Sequence, residues 1–167
     1  MFYIVLVTLL SACVLADVQP SYYSFSPSVG SGSGTSYSLT GEGRITAIRV
    51  WEHYNSYIFG FQLRYGHEWS LIAGKKVGDA QEMELFDNEA IIQVSGKYTS
   101  YLQSVVFITN RGRSLWAGQP AGRSFNMYPT HSVAELRFLS GRYSGYITSF
   151  QAHWAVFYEA SNSTELM

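Results

Sequence analysis

Tyr98-Thr99-Ser100-Tyr101-Leu102 decides the fold, because the chain contains this pattern three times. The other copies are residues 54–58 and residues 143–147. Their second tyrosines, Tyr57, Tyr101 and Tyr146, are separated by 44 and 45 residues. A constant period of this size indicates structural units that stack or repeat around an axis.

A second motif repeats in the same frame. The spacing Gly74-x-x-x-Gly78 recurs 44 residues later at 118–122 and 44 residues earlier at 30–34. Each complete unit therefore has a tyrosine half and a glycine half. The C-terminal copy has only the first half and the N-terminal segment only the second. We therefore expect the two ends of the chain to combine into one unit, which leaves no repeat with an open edge.

Short runs with alternating apolar residues, punctuated by Gly and Ser, predict strands rather than helices. The runs are residues 45–50, 59–65, 91–94, 104–109 and 135–139. Residues 79–86 have a weak helical pattern, but we expect the flanking strands to override it. The sequence therefore predicts an all-β prism of three equivalent four-stranded antiparallel sheets. Phe61, Val105 and Phe150 fall on equivalent positions that face a shared core.

Composition limits the class of protein. Net charge is −1 and 14% of residues are charged, with no polybasic run, so nothing indicates nucleic-acid or electrostatic membrane binding. The apolar residues 2–10 and the small residues before Asp17 predict a signal peptide at 1–16 and no transmembrane segment. The single cysteine, Cys13, lies within it, which excludes a disulfide scaffold in the predicted mature domain at 17–159. A polar tail follows at 160–167, where Asn162 begins an N-glycosylation sequon.

Several longer stretches carry a family resemblance. They are residues 41–50, 63–70, 92–98 and 136–142, followed by His153-Trp154. In this order they resemble the jacalin-related lectins, and most closely the zymogen granule membrane protein 16 group of animal secretory lectins. The resemblance implies a β-prism of three Greek-key sheets with pseudo-threefold symmetry.

The resemblance also implies a sugar site. In this family sugar lies between a glycine-rich loop, residues 30–34 here, and a Gly-x-x-x-Asp loop that corresponds to residues 144–148. This chain departs from that pattern, because Thr148 stands at the aspartate position. The equivalent positions in the other units are Phe59 and Gln103, so no unit supplies the carboxylate. A charged acceptor makes stronger hydrogen bonds than a hydroxyl, so we expect a weakened or altered site.

The predicted carbohydrate-binding residues come from both loops and the flanking tyrosines. They are Ser31, Gly32, Ser33, Gly34, Tyr98, Tyr143, Ser144, Gly145, Tyr146, Ile147 and Thr148. Two alternatives remain open. The glycine run is also typical of a flexible linker, and the second tyrosine of each copy is also typical of packing at the top of the prism.

The functional expectation is a secreted, non-catalytic protein that reaches the exterior through secretory granules. It would bind mannose-type or related glycans, including sulfated or microbial ones, on glycoproteins, proteoglycans or microbial surfaces. No cofactor or metal is expected, since the four histidines are far apart, and the acids of residues 79–89 suggest a solvated connection rather than a catalytic pair. The alternative is a granule-structural or protein-interaction module that has lost sugar binding.

Overall fold

The computed structural model describes residues 22–53 and 57–157. The predicted signal peptide, Tyr54, the tail at 160–167 and Asn162 lie outside these residues. Every regular element in the described part is a β-strand. Within those ranges no helix has the length and apolarity that a membrane crossing requires.

Fourteen strands follow one another along the chain. They are β1 (Tyr22–Phe25), β2 (Val29–Gly30), β3 (Thr35–Ser38), β4 (Ile45–Glu52), β5 (Ile58–Tyr65), β6 (Glu68–Trp69), β7 (Ala73–Gly74), β8 (Ala80–Glu84), β9 (Ile91–Tyr98), β10 (Leu102–Thr109), β11 (Ser114–Gly118), β12 (Arg123–Met127), β13 (Glu135–Ser144) and β14 (Tyr146–Val156). All five predicted runs are strands. The weakly helical residues 79–86 contain strand β8.

The strands form three antiparallel sheets with one topology. Sheet 2 has the order β11-β10-β9-β12, in which the fourth strand returns beside the first, a Greek key. Sheet 1 repeats this order as β6/β7-β5-β4-β8, with its outer strand broken into two short pieces. Sheet 3 repeats it as β1/β2-β14-β13-β3. The predicted β-prism of three Greek-key sheets is thereby confirmed.

Sheet 3 shows the circular closure that the repeat predicted. Its central strands β13 and β14 come from the C-terminal part of the chain. Its edges, β1 with β2 and β3, come from the N-terminal part. The register repeats as well, because Gly30 faces Ser149, Gly74 faces Gly60 and Gly118 faces Ser104. Three corresponding glycines therefore occupy one structural position.

The core lies between the inner faces of the three sheets. Phe61, Val105 and Phe150 are fully buried, and the register gives them equivalent partners on the outer strands. The Phe61 and Phe150 ring centroids are 5.4 Å apart. Burial of each such side chain stabilises the fold by about 1.5–3 kcal/mol, so the alternating pattern accounts for both the sheets and their packing.

Ion pairs stabilise the end of the prism at which β4, β9 and β13 begin, and we call it the charged end. The Arg44 guanidinium binds both oxygens of Glu135, with nitrogen–oxygen distances of 2.7 and 2.5 Å. Glu89 is buried and accepts from Arg113 Nη1 at 2.7 Å and from the Thr109 hydroxyl at 2.6 Å. The prediction of a solvated acidic connection at residues 79–89 is therefore wrong for Glu89, because these two donors and the Phe86 N–H, at 2.9 Å, compensate its burial.

Candidate functional site

The opposite end of the prism carries the repeated tyrosines, and we call it the tyrosine end. Ring centroids of Tyr57, Tyr101 and Tyr146 lie 4.8–5.3 Å apart and form one cluster. Tyr146 also contacts Phe59, at 4.8 Å between ring centroids. Ile147, the next residue, is buried in the core. The second tyrosine of each copy therefore has packing partners. This agrees with the alternative interpretation that these tyrosines pack at the top of the prism.

The glycine loop, residues 30–34, lies against the last hairpin, residues 143–148. The Gly32 N–H donates to the Thr148 carbonyl at 3.2 Å. Arg142 Nη1 donates to the Gly34 carbonyl at 2.7 Å. The loop is thus an ordered part of sheet 3, which disfavours the linker alternative. The two predicted halves of the site are in direct contact.

Two of the loop glycines are required by close backbone contact. Gly30 has φ +99° and Gly34 has φ +92°, values that disfavour any side chain. A Cβ at Gly30 would lie 2.2 Å from the Thr148 carbonyl oxygen, and one at Gly34 would lie 2.1 Å from that of Tyr143. A Cβ at Gly32 would meet nothing within 4 Å. Gly32 is therefore the open glycine of the loop.

Thr148 is buried and already has a partner. It is 0% exposed, and its hydroxyl donates to the Ser33 carbonyl. This contact ties the hairpin to the glycine loop at the place where the resemblance implies a sugar-binding aspartate. The sequence shows that threonine stands at the aspartate position. It carries no signal for this hydrogen bond, since the partner is a backbone atom over one hundred residues away.

The equivalent residues in the other sheets have different partners. Phe59 packs on Tyr146, and Gln103 donates from its amide to the Thr99 hydroxyl at 2.8 Å. Of these three positions, Thr148 alone joins its hairpin to the glycine loop of the same sheet through a side-chain hydrogen bond. The geometry at Thr148 is therefore not a general property of the repeat.

A cleft of about 470 Å³ opens beside the glycine loop. It is lined by Gly30 and Ser31 from sheet 3 and by residues 98–100, Gly122 and Arg123 from sheet 2. Tyr98 thus stands at the cleft, as expected of a ligand neighbour. Glycines and hydroxyl-bearing residues make up most of its lining, which includes one cation and no carboxylate.

Two residues near the cleft differ from expectation. Tyr143, like Tyr98, is half-buried and packs against the core, but it pairs with Thr35 within sheet 3 and does not line the cleft. Arg123 lines the cleft, although no sequence feature separates it from the other basic residues, which are dispersed along the chain. Pairing of Arg123 with Tyr98 across β12 and β9 is what brings it there.

A larger cavity of about 600 Å³ lies at the charged end. Its charged and amide side chains are already paired, since Arg44 binds Glu135 and the Asn110 side-chain oxygen accepts from the Ala90 N–H at 3.1 Å. Within the described ranges, no three metal-ligating side chains converge. His153 is stacked on Phe138, with ring centroids 4.0 Å apart, and burial lowers its pKa. The tyrosine end is thus the stronger candidate.

Comparison with known proteins agrees with this geometry. A family model described as the jacalin-like lectin domain matches residues 26–153. The chain belongs to the jacalin-like lectin family. Members of this family are non-catalytic carbohydrate binders, which is consistent with a protein that is not an enzyme. The matched range covers all three sheets apart from β1 and the last three residues of β14.

Relatives span almost the whole chain. Human zymogen granule membrane protein 16 is 41% identical over 161 residues, covering 94% of this chain and 96% of its own. The rat protein of that name is also 41% identical, over 158 residues. A prostate-specific WGA16 glycoprotein lectin is 32% identical with a TM-score of 0.72, covering 81% of this chain and 100% of its own. An artocarpin–mannotriose complex, 19% identical with a TM-score of 0.68, covers 81% and 99% and supports the fold.

Proposed function

We propose that this protein is a secreted lectin that binds a mannose-type or related glycan at the tyrosine end. The observation that carries the proposal is the direct contact between the glycine loop and the last hairpin, next to the cleft at Tyr98. The exposed backbone N–H groups of the glycine loop and the last hairpin donate to sugar hydroxyls, whereas Gly32 donates to Thr148, and Ile147 and Thr148 are buried. Tyr98 flanks the ligand, and binding is reversible and needs no cofactor.

The binding strength at one site is low, because Thr148 replaces a charged acceptor. Loss of a charged hydrogen-bond partner costs about 1.5–3 kcal/mol, which is roughly ten- to a hundredfold in affinity. Glycoproteins, proteoglycans and microbial walls present many copies of a glycan. Avidity on such surfaces multiplies a weak site, provided that several lectin sites engage together.

The proposed location is the secretory granule and then the exterior. Two features support it: the apolar segment at residues 2–10 and the relatives named zymogen granule membrane protein 16. Sulfated proteoglycans and microbial surfaces are both reached from this compartment, and each presents glycans at high density.

A second candidate function is a granule-structural or protein-interaction module without sugar binding. The Thr148 hydroxyl favours it, because that group already donates to Ser33 and Thr148 is buried. A ligand that needs the side chain must first displace this bond. The two candidates therefore differ in whether the loop opens to accept a sugar.

The test is a pair of substitutions at Thr148. Thr148→Asp removes the donor to Ser33 and introduces a charged acceptor, so we expect mannose affinity to rise about tenfold or more. Thr148→Asn is the matched control, since it has nearly the same shape as Asp but no charge. Calorimetric titration of mannose into wild type and both variants gives the three affinities.

A multivalent form of the wild-type protein on a glycan array supplies the second measurement. Binding to mannose-type glycans on the array, with the Asp variant stronger than Asn, supports the lectin function. If no glycan on the array is bound, and none of the three titrations shows heat of mannose binding, the lectin function is overturned in favour of the interaction module.

A further inference from the structure

The three sheets share their inner faces but differ on their outer faces. On sheet 1 the outer face is charged, with Arg49 paired to Glu82 at 2.6 Å. On sheet 3 it carries stacked rings, with Phe138 on His153. On sheet 2 it carries mainly hydroxyl and amide groups around one exposed indole, Trp116. The repeat thus presents three different surfaces on one scaffold.

One row of side chains crosses sheet 2 from edge to edge. The register places Trp116 opposite Val106, Val106 opposite Ser95, and Ser95 opposite Asn126. The Gln93 amide donates to the Ser95 hydroxyl at 2.7 Å and holds it in place. Cross-strand neighbours on one face lie about 5 Å apart, so these groups form one continuous surface.

The fold does not require an indole at position 116. Trp116 is 68% exposed, and its Nε1–H donates to the Ser114 hydroxyl at 3.2 Å, which fixes the ring. The corresponding residues of the other sheets, which precede Ala73 and Val29 as Trp116 precedes Ala117, are Ile72 and Ser28. A large ring held in water among hydroxyls and amides matches a sugar, which has an apolar face and hydroxyls at its edge.

This surface continues into the cleft at the tyrosine end. Tyr98 and Arg123 line the cleft and are the terminal residues of β9 and β12 on that side. Between the cleft and the row, Lys97 Nζ donates to the Ser124 hydroxyl at 3.0 Å. Trp116 lies about 10 Å from Tyr98 along the strands and about 10 Å across them, by ordinary strand spacings. A monosaccharide in the cleft does not span this gap, whereas an extended oligosaccharide does.

We propose that Trp116 and the polar row on sheet 2 bind the inner units of an extended, uncharged oligosaccharide whose end lies in the cleft. This inference rests on the proposed function and adds the ligand class, a chain of several sugars rather than a single terminal one. Lys97 is the one charged side chain of the outward positions on these strands, and its bond to Ser124 fits a neutral ligand.

The experiment compares chain lengths. Mannose and linear mannohexaose are titrated into wild type, Trp116→Ser and Leu71→Ser by calorimetry. Serine is the residue that sheet 3 has at this position, so the fold is retained, which circular dichroism checks. Leu71 is 88% exposed in the connection between β6 and β7, away from sheet 2, and serves as the control for loss of an exposed apolar side chain. We expect wild type and the Leu71 variant to bind the hexasaccharide about tenfold more tightly than mannose.

Trp116→Ser is expected to lose most of that tenfold gain while its mannose affinity stays unchanged. A Trp116 variant that binds mannohexaose as tightly as wild type overturns this inference and leaves the proposed site intact. Mannohexaose binding that depends on Trp116, without any mannose binding, supports the sheet 2 surface and overturns the cleft. Absence of binding to both sugars by wild type overturns both proposals.

Discussion

At the tyrosine end the connections are held by backbone hydrogen bonds and glycine contacts, whereas at the charged end they are held by buried carboxylates. Gly30 and Gly34 pack against carbonyl oxygens of the last hairpin. Glu89 and Glu135, at the other end, bind arginine side chains. The two ends of the same repeated unit are therefore stabilised by different kinds of interaction.

The difference shows how a symmetric fold separates stability from binding. Buried charges with several donors fix the geometry of the charged end but leave few groups for a ligand. Glycines at positive φ hold the tyrosine end in shape without covering it with side chains. Backbone and hydroxyl groups around Ser31 and Tyr98 consequently remain at the surface of the cleft.

The largest expected effect is a loss of folding stability from a substitution at the tyrosine end. Gly30→Ala places a methyl group against the Thr148 carbonyl at positive φ, so we expect unfolding free energy to fall by about 3 kcal/mol or more. Gly32→Ala is the control, with positive φ but open space, and should cost about 1–2 kcal/mol. Urea denaturation measures both. Equal stability of the two variants would mean that the loop does not pack on the hairpin.

A smaller effect is expected at the charged end. Burial raises the pKa of Glu89, but hydrogen bonds from the Phe86 N–H, Thr109 and Arg113 outweigh it and lower the pKa overall. Its stabilising contribution is therefore present above the unfolded pKa of about 4.3 and is lost as pH falls through the lower folded value. Glu89→Gln should cost about 2 kcal/mol at pH 7 and reduce the loss of stability below about pH 4.3.

Its matched control is Glu82→Gln, which breaks the more exposed pair with Arg49. Exposed ion pairs contribute about 0–1 kcal/mol, so this variant should stay close to wild type. Both variants should bind glycan normally, since neither residue lines the cleft. A wild-type pH profile in the Glu89 variant would contradict the assignment of acid sensitivity to this carboxylate.

The smallest expected effect concerns the bond between the hairpin and the glycine loop. Thr148→Val keeps the side-chain shape and removes the donor to Ser33, which should cost about 1 kcal/mol. Thr148→Ser keeps the hydroxyl and is the control. Hydrogen exchange at the Gly32 N–H should accelerate in the valine variant alone. If serine and valine accelerate it equally, the hydroxyl is not what fixes the loop.

The fold could be predicted from the sequence because its repeat is visible in residue spacing. Gly30, Gly74 and Gly118 share one constraint, contact with a carbonyl at positive φ, so the constraint recurs at a fixed interval. The circular closure followed from the same arithmetic. One detail did not follow: the strand partners Glu52 and Ile58 are six residues apart, whereas the equivalent partners Tyr98 and Leu102 are four apart. The similar tyrosine pattern hides this two-residue difference in the sequence.

The site was less predictable, because its contacts join distant backbone atoms. The sequence located both loops and the missing aspartate. It did not show that the Thr148 hydroxyl reaches Ser33 or that Arg142 reaches Gly34. It also did not show that Tyr98 and Tyr143, which both pack on the core, differ in that Tyr98 lines the cleft. Such choices depend on strand register rather than on residue type.

Amide chemical shifts during titration with mannohexaose test the central claim most directly. We predict that the shifts concentrate at residues 31–34, at Tyr98 and at residues 144–148, and that amides around Glu89 stay unchanged. Saturable shifts confined to the charged end, or none at the glycine loop and last hairpin, would contradict carbohydrate binding at the tyrosine end.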